Sequence, residues 1–536
     1  MDVERPWLFV YGEEFSRQTA NVSLTRFLEE AVRRYGASPA MTFGEESTSY
    51  EELWERSGRL AGALAESGVG KGDRVALMLP NVPEYVISFF AVVRLGAVVT
   101  QVNPIYVERE LEHILDNSGA QTIIVHESAY PRVTAVRETS PLESIVVAGK
   151  AGEPDTEFWR FLESADSPVP EVEVNPAQDL AAIQYTGGTT GVSKGAMLTH
   201  RNILAGTEST IDLLLESSGE LPPGGKAVAV APLFHIFGLT MVLVFSVRQG
   251  LNMLLVPRFQ PDEMMQLIER ERPVMLAGVA TLYMALHGYP EMERYGLDKV
   301  RLYTSGGASV PLGLLRSFER RTGRPIWEGY GLSEGAPVSF NTYLRGPVGG
   351  SIGVPVPGTD ARIVDIETGE RDMPFGEPGE LIVRGSQVMK GYWEMPGETE
   401  NALRDGWLHT GDIARMDEDG YLYIVDRKKE MINASGYKVY PREVEEVLYG
   451  HEEVVEAVVI GVPDEYRGET VKAFVVAKPE SGVSAEELAG YCKERLAPYK
   501  MPRTIEFREE LPKSAVGKLL KRVLIEEERE KAAANQ

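Results

Sequence analysis

Apolar positions recur every three or four residues after Ser23, at Leu24, Phe27, Leu28, Ala31, Val32 and Tyr35, and the run closes at Gly36. This spacing predicts an amphipathic helix with a serine cap and a glycine stop. Ser49 and Glu52 stand at capping-box distance ahead of a second helical stretch that ends near Gly68. Short apolar runs follow, Val75 to Leu79 and Thr122 to Val125, and Asn81 and Pro83 fit the start of a helix between them. The alternation resumes later in the chain. Ala227 to Val230, Met253 to Val256, Val274 to Ala277, Arg301 to Thr304 and Pro325 to Glu328 read as strands, with helices opening at Pro261 and Pro311. Strands alternating with helices predict an α/β fold of mostly parallel, helix-covered sheets.

Two later stretches break this rhythm. From about Gly346 to Trp393 glycine and proline recur and apolar runs are short, which predicts a small antiparallel β region. After Asp426-Arg427-Lys428-Lys429, a helix over Arg442 to Tyr449, strands near Val454 to Ile460 and Val471 to Val476, and a helix opened by Ser484 and Glu487 predict a small α+β domain. The expected division is a large N-terminal domain, 1–426, followed by a small C-terminal one, 427–536. The longest apolar stretch, Leu239 to Val256, is interrupted by Arg248, Gln249, Gly250 and Asn252. A buried helix followed by a strand explains it better than a membrane span.

Composition narrows the function. The 536 residues are 43% hydrophobic, ample for a large core, and carry 55 basic against 80 acidic side chains, a net charge of −25. That balance argues against a general nucleic-acid binder and requires local basic clusters wherever an anion is held. The single cysteine, Cys492, excludes an intrachain disulfide and a cysteine-cluster metal site, and it reads as packing on a helix. Met1 to Tyr11 lacks a basic region followed by an apolar run, so no signal peptide is expected. A cytoplasmic location is expected, with peripheral membrane contact and a homodimer left open.

The candidate chemistry centres on Tyr185-Thr186-Gly187-Gly188-Thr189-Thr190-Gly191-Val192-Ser193-Lys194-Gly195. Glycines let backbone N–H groups approach an anion, threonine hydroxyls add donors or metal contacts, and Lys194 adds positive charge. The spacing is not that of a P-loop. Ligands of α/β sheets gather at the carboxyl ends of strands, where Tyr185, Ser305-Gly306-Gly307 and Gly329-Tyr330-Gly331 all stand. Pro232-Leu233-Phe234-His235-Ile236-Phe237-Gly238 sets a histidine among apolar residues, either in a site or as a hydrogen-bonded core residue. Glu334 follows Gly329-Tyr330-Gly331-Leu332-Ser333 and suits Mg²⁺. Asp412 in Trp407-Leu408-His409-Thr410-Gly411-Asp412 could accept ribose hydroxyls, although alone the segment reads as a turn. Lys518 ends a glycine-containing loop, Leu511 to Lys518, and in isolation reads as a solvated charge.

Taken in order, these segments resemble the adenylate-forming superfamily of acyl-CoA synthetases, luciferases and peptide-synthetase adenylation domains, over about Leu24 to Arg522. The branch most similar is the bacterial long-chain fatty-acid–CoA ligases, through Tyr185 to Gly191, Pro232 to Gly238 and Asp426 to Ile432. The resemblance implies ATP, Mg²⁺ and coenzyme A acting on a small-molecule carboxylic acid through an acyl-AMP. It implies that Thr186, Gly187, Gly188, Thr189, Thr190, Gly191 and Lys194 hold the β- and γ-phosphates, with Thr186 and Glu334 at the metal. Gly307, Ala308 and the run Glu328, Gly329, Tyr330, Gly331 and Ser333 would line adenine and the α-phosphate. Asp412 would bind the ribose with Arg427, and Lys518 would bridge the substrate carboxylate and the α-phosphate. His235 would border the carboxylate pocket, and Phe237, Gly238, Gly306, Gly307 and Gly331 would line an apolar acyl tunnel. There each further methylene would add about 0.8 kcal/mol. Ser435 and Gly436 would line the pantetheine passage, and Lys429 would be the hinge of a mobile C-terminal domain.

Departures from the family pattern are Ser193 for proline, Ser333 for threonine, and Asn433 where some aryl-type relatives have lysine. A medium- or long-chain fatty acid is the expected substrate and an aryl acid the alternative. A serine hydrolase is a rival because Gly331-Leu332-Ser333-Glu334-Gly335 matches nucleophile-elbow spacing, but an elbow should launch a helix. A luciferase-like oxidase or carrier-loading module is the other rival.

Overall fold

Helix Leu24–Tyr35 starts where its cap predicts: the Ser23 hydroxyl accepts the Arg26 N–H at 3.2 Å, and Gly36 ends the helix at φ 33°. The Ser49–Glu52 capping box forms both of its bonds, at 3.1 and 2.7 Å, ahead of helix Tyr50–Glu66. The structure is a computed structural model that describes residues 5–12, 21–166, 169–186, 193–215, 221–342, 344–434, 437–464, 468–479, 481–514, 517 and 519–534.

Helix Pro83–Arg94 opens on proline as expected, but Asn81 does not cap it. The Asn81 amide donates to Ala229 O and Ala231 O at 2.7 and 3.0 Å, and its carbonyl oxygen accepts the Leu233 N–H at 2.8 Å. Asn81 is 3% exposed, so its polar atoms require protein partners, and the segment ahead of His235 supplies them.

One seven-stranded sheet runs in the order Thr156–Glu157, Ser144–Ala148, Thr122–His126, Arg74–Met78, Val98–Gln101, Leu180–Tyr185, Gly195–Thr199. It is parallel except at its last pair. A nine-stranded sheet has a parallel centre of Ile326–Leu332, Leu302–Ser305, Met275–Gly278, Lys226–Ala229, Asn252–Leu255 and Pro39–Phe43, with antiparallel strands at both edges. This is the expected α/β architecture. Helix Pro83–Arg94 lies in an apolar cluster that takes in residues of both sheets, with Phe89, Phe90, Val92 and Val93 wholly enclosed. Each such aromatic side chain contributes about 1.5–3 kcal/mol on burial.

The stretch Leu239 to Val256 divides into the π-helical turn Leu239–Val244, helix Phe245–Gln249 and strand Asn252–Leu255. Among the described residues no helix is long and apolar enough to cross a membrane.

The antiparallel region is larger than the pattern predicts. Thr359–Val364, Gly379–Gly385, Leu403–Arg404, Trp407–Met416 and Leu422–Arg427 form one five-stranded sheet. The expected end at Trp393 falls short because the chain returns after helix Pro396–Ala402 and pairs Trp407–Met416 with Gly379–Gly385. Beyond it, Ile432–Ala434, Tyr437–Val439, Val454–Asp464, Gly468–Ala477 and Thr504–Phe507 make a separate sheet, with helices Pro441–Tyr449 and Ala485–Lys493. Cys492 is buried there, and burial pushes its thiol up to about 11, so it packs rather than reacts.

This last unit meets the rest through polar contacts. Asp426 Oδ2 accepts the Arg442 N–H at 2.9 Å, and Arg442 Nη1 donates to Ile424 O at 2.7 Å. Within the unit itself, Lys521 lies between Glu430 and Glu445 at 3.1 and 3.0 Å.

Candidate functional site

Strands Leu180–Tyr185 and Gly195–Thr199, which flank the phosphate-type segment, are antiparallel neighbours in register at Tyr185 and Gly195. The ends of that segment are clasped. Thr186 N–H donates to Lys194 O at 2.9 Å, Lys194 N–H to Thr186 Oγ1 at 3.3 Å, and Ser193 Oγ to Thr186 O at 2.5 Å. Gly187, Gly188, Thr189, Thr190 and Gly191 lie outside the described residues. Lys194 Nζ pairs with Glu398 Oε2 at 2.6 Å and lies 4.6 Å from the Tyr392 ring centroid.

Ser333 and Glu334 form the two-residue turn between strands Ile326–Leu332 and Gly335–Phe340. A hairpin, not a helix, follows Ser333, which removes the nucleophile-elbow reading. Glu334 Oε1 accepts the Tyr392 hydroxyl at 2.5 Å, and Glu334 O accepts the Met389 N–H at 2.8 Å. The described residues hold no cluster of three or more His, Cys, Asp or Glu fit for a metal. That does not bear on Mg²⁺, which binds through one or two carboxylates plus substrate phosphates rather than in an all-protein cage.

At the other wall, Asp412 accepts the Tyr330 hydroxyl at 2.5 Å and pairs with Arg427 Nε at 3.1 Å. The segment is not a simple turn: Asp412 belongs to strand Trp407–Met416, opposite Arg427 in Leu422–Arg427, and only Gly411 takes the left-handed backbone, at φ 71°. Burial and the neighbouring Asp412 carboxylate raise the Tyr330 hydroxyl well above the ordinary tyrosine range, and Asp412 raises Arg427. The Tyr330 hydroxyl therefore remains a donor and Arg427 remains charged across neutral pH. Glu328 is 6% exposed and accepts the Val310 N–H at 2.9 Å, while burial pushes its carboxyl up to about 7.

An apolar cavity adjoins this wall. His235, Phe237, Gly306, Gly307, Tyr330 and Gly331 line it together with Met241 and Phe340; it is partly open, with a volume of about 30 Å³. That is roughly one water's share of the liquid. The glycines do not open a wide tunnel here. A Cβ on Gly306 would meet the Phe237 ring at 2.9 Å, one on Gly329 the Phe340 ring at 2.3 Å, and one on Gly331 the Ala336 Cβ at 2.6 Å. They admit close packing against neighbouring side chains. Gly238 lies off the lining, its absent Cβ 2.0 Å from Pro232 O. Gly307 sits in the turn after strand Leu302–Ser305 at φ 79°, with Ala308 half-buried beside it.

His235 is half-buried, and its Nδ1 accepts the Phe237 N–H at 3.3 Å. Three residues that the sequence reading did not single out as site residues hold its segment in place. Tyr85 Oη donates to Leu233 O at 2.7 Å, Gln184 Nε2 to Phe234 O at 3.0 Å, and Asn81 binds as described. Tyr392 and Glu398 were missed as well, being ordinary surface-type residues by pattern alone.

Lys518, Ser435 and Gly436 lie outside the described residues. Next to Lys518, Gly517 O accepts the Thr281 hydroxyl at 3.4 Å, just beyond strand Met275–Gly278. Lys429 is exposed between strands Leu422–Arg427 and Ile432–Ala434, which belong to different sheets.

Comparison with known proteins gives a consistent result. The family model of AMP-binding enzymes matches residues 28–393, and that of the AMP-binding enzyme C-terminal domain matches 443–518. A long-chain-fatty-acid–CoA ligase of Bacillus subtilis (strain 168) is 41% identical over 99% of this chain and 99% of its own length. ATP-bound MatB from Rhodopseudomonas palustris superposes with a TM-score of 0.86 at 30% identity, covering 94% of this chain and 99% of that one. The anthranilate CoA ligase AuaEII, in complex with anthranoyl-AMP, superposes with a TM-score of 0.89 at 28% identity, covering 97% and 99%.

Proposed function

This chain belongs to the AMP-binding enzyme family, and from that premise we propose how its residues divide the work of an AMP-forming fatty-acid–CoA ligase. The reaction has two steps. A carboxylate oxygen attacks the α-phosphorus of ATP and pyrophosphate leaves, giving acyl-AMP. The coenzyme A sulfur then attacks the acyl carbon, AMP leaves, and the thiol proton passes to solvent.

The observation that carries the residue assignment is a shared wall. Tyr330 lines the apolar cavity while its hydroxyl bonds Asp412 beside Arg427. A nucleotide on Asp412 would present its α-phosphate at the mouth of the acyl cavity. In this reading Asp412 accepts the ribose hydroxyls, and Gly307, Ala308 and Glu328 to Ser333 border adenine and the α-phosphate. The clasped loop from Thr186 to Lys194 binds the outer phosphates, with Thr186 and Glu334 oriented toward Mg²⁺. The metal, when bound, would neutralise charge on the phosphates. His235 and Phe237 border the substrate carboxylate and chain. Lys518 follows Gly517, whose carbonyl bonds Thr281, and would reach the developing charge on the α-phosphate.

We divide the chain into 1–426 and 427–536, joined at Lys429. Rotation about Lys429 would exchange the Lys518 surface for the Ser435–Gly436 surface between the half-reactions. A cytosolic site of action is part of the same proposal.

One alternative is an aryl acid, since the anthranilate CoA ligase superposes on this chain with a TM-score of 0.89. Exchange of labelled pyrophosphate into ATP, run over a panel of saturated and aromatic acids, decides both points. Acid-dependent exchange that rises with chain length is expected. Exchange with aryl acids alone would establish the alternative, and no exchange with any acid would defeat the reading.

A further inference from the structure

Segment 389–393 bridges two parts of the site that are far apart in sequence. On one side it extends the strand that leaves the phosphate-type loop: Met197 N–H donates to Gly391 O at 2.9 Å, and Trp393 N–H to Gly195 O at 2.8 Å. On the other side Met389 N–H holds the Glu334 carbonyl at 2.8 Å. Tyr392 sits at the crossing. Its hydroxyl donates to Glu334 Oε1 at 2.5 Å, while the Lys194 ammonium lies 4.6 Å from its ring centroid. One side chain thus touches a carboxylate from a hairpin turn and a cation from the end of the phosphate-type segment, the two charges read as facing the same polyphosphate.

We propose that Tyr392 is a positioning residue for acyl-AMP formation, holding Glu334 by its hydroxyl and Lys194 by its ring so that both charges are placed before the nucleotide arrives. This rests on the reading of Glu334 as a Mg²⁺-oriented carboxylate. Two physical points support it. A carboxylate pinned through one oxygen presents the other in a fixed direction, which a small, geometrically strict cation requires. An aromatic face attracts an ammonium without setting a counter-charge against it. Glu398 completes the arrangement. It is 50% exposed and pairs with Lys194 at 2.6 Å, an anion that an arriving phosphate can displace into water. Tyr392 itself is tethered, its N–H donating to Thr399 Oγ1 at 2.9 Å.

The test separates hydroxyl from ring by measuring ATP affinity at a series of Mg²⁺ concentrations, and again in chelator, on the full-length protein. Tyr392→Phe should raise the Mg²⁺ needed for half-maximal ATP binding by roughly tenfold, as expected for losing a hydrogen bond to a charged group, and leave metal-free affinity unchanged. Tyr392→Leu should weaken metal-free binding as well. In a Glu334→Gln background, Tyr392→Phe should add little, and this comparison holds even if the Leu variant does not fold. If Glu334→Gln shifts the Mg²⁺ requirement and Tyr392→Phe does not, the positioning role is wrong. If Glu334→Gln itself leaves the requirement unchanged, the metal reading and this proposal both fall.

Discussion

The hydroxyl of Tyr330 and the carboxylate of Asp412 meet at 2.5 Å, although 82 residues separate them in the chain. The bond crosses from the nine-stranded sheet to the small antiparallel one and fixes the two faces of the proposed nucleotide cleft. Tyr330→Phe should weaken ATP binding by roughly tenfold, because one bond to a charged group is lost. Asp412→Ala should weaken it further, since Arg427 also loses its partner at 3.1 Å. Nucleotide titrations measure both, and equal losses would count against Asp412 as the ribose acceptor as well as against the Arg427 pair.

Lys518→Ala should slow acyl-AMP formation by about a hundredfold or more, the cost of one preorganised transition-state donor. Thioester formation from supplied acyl-AMP should persist. Single-turnover assays of the two steps check this, and equal damage to both would contradict the assignment.

Glu328 gives a pH prediction. Its carboxyl is raised to about 7 from an ordinary 4.5, so the folded state holds a proton that the unfolded chain releases earlier. The associated stability is fully present below pH 4.5 and is lost as pH rises through 7, about 3 kcal/mol in all. Glu328→Gln cannot titrate. Its melting temperature relative to wild type should therefore climb between pH 5 and 8, and a constant difference would exclude the effect.

Asn81→Ala should leave the Ala231 carbonyl and the Leu233 N–H without the partner Asn81 supplies in a closed interior, while Ala229 O keeps the Val256 N–H at 3.1 Å. A loss of roughly 2–4 kcal/mol is expected, visible as a lower melting temperature. The Michaelis constant for the acid should rise as well, since the chain ahead of His235 loses its anchor. A destabilised variant with unchanged acid affinity would mean that the tie serves the fold alone.

Lys429→Pro addresses the proposed hinge. Fixing one backbone dihedral there should impair thioester formation more than adenylation. Wild-type-like thioester formation would argue against rotation at this residue.

Local signals were legible in the sequence. Ser23, and Ser49 with Glu52, marked helix starts because a cap is a contact between residues three apart. The phosphate-type segment was legible because its glycines and hydroxyls are contiguous. What escaped were contacts between distant residues. Asn81 was read as a helix opener because it precedes Pro83, yet its partners are Ala229, Ala231 and Leu233. Tyr392 lies 58 positions from Glu334, and Glu398 lies 204 from Lys194, beyond any local pattern. The small β sheet was cut short at Trp393 because its returning strands begin only after an intervening helix. The glycines of the acyl wall were read as open space because sequence alone does not reveal that Phe237 presses against Gly306 and Ala336 against Gly331.

Asp426 holds the backbone of Arg442 through a single carboxylate oxygen, and Arg442 reaches back to Ile424. A swivel that began at Lys429 would have to sever this double grip before the smaller lobe could travel. The molecule would then wait poised for its first substrate pair, and an activated intermediate would form before the lobe swung away to admit the thiol.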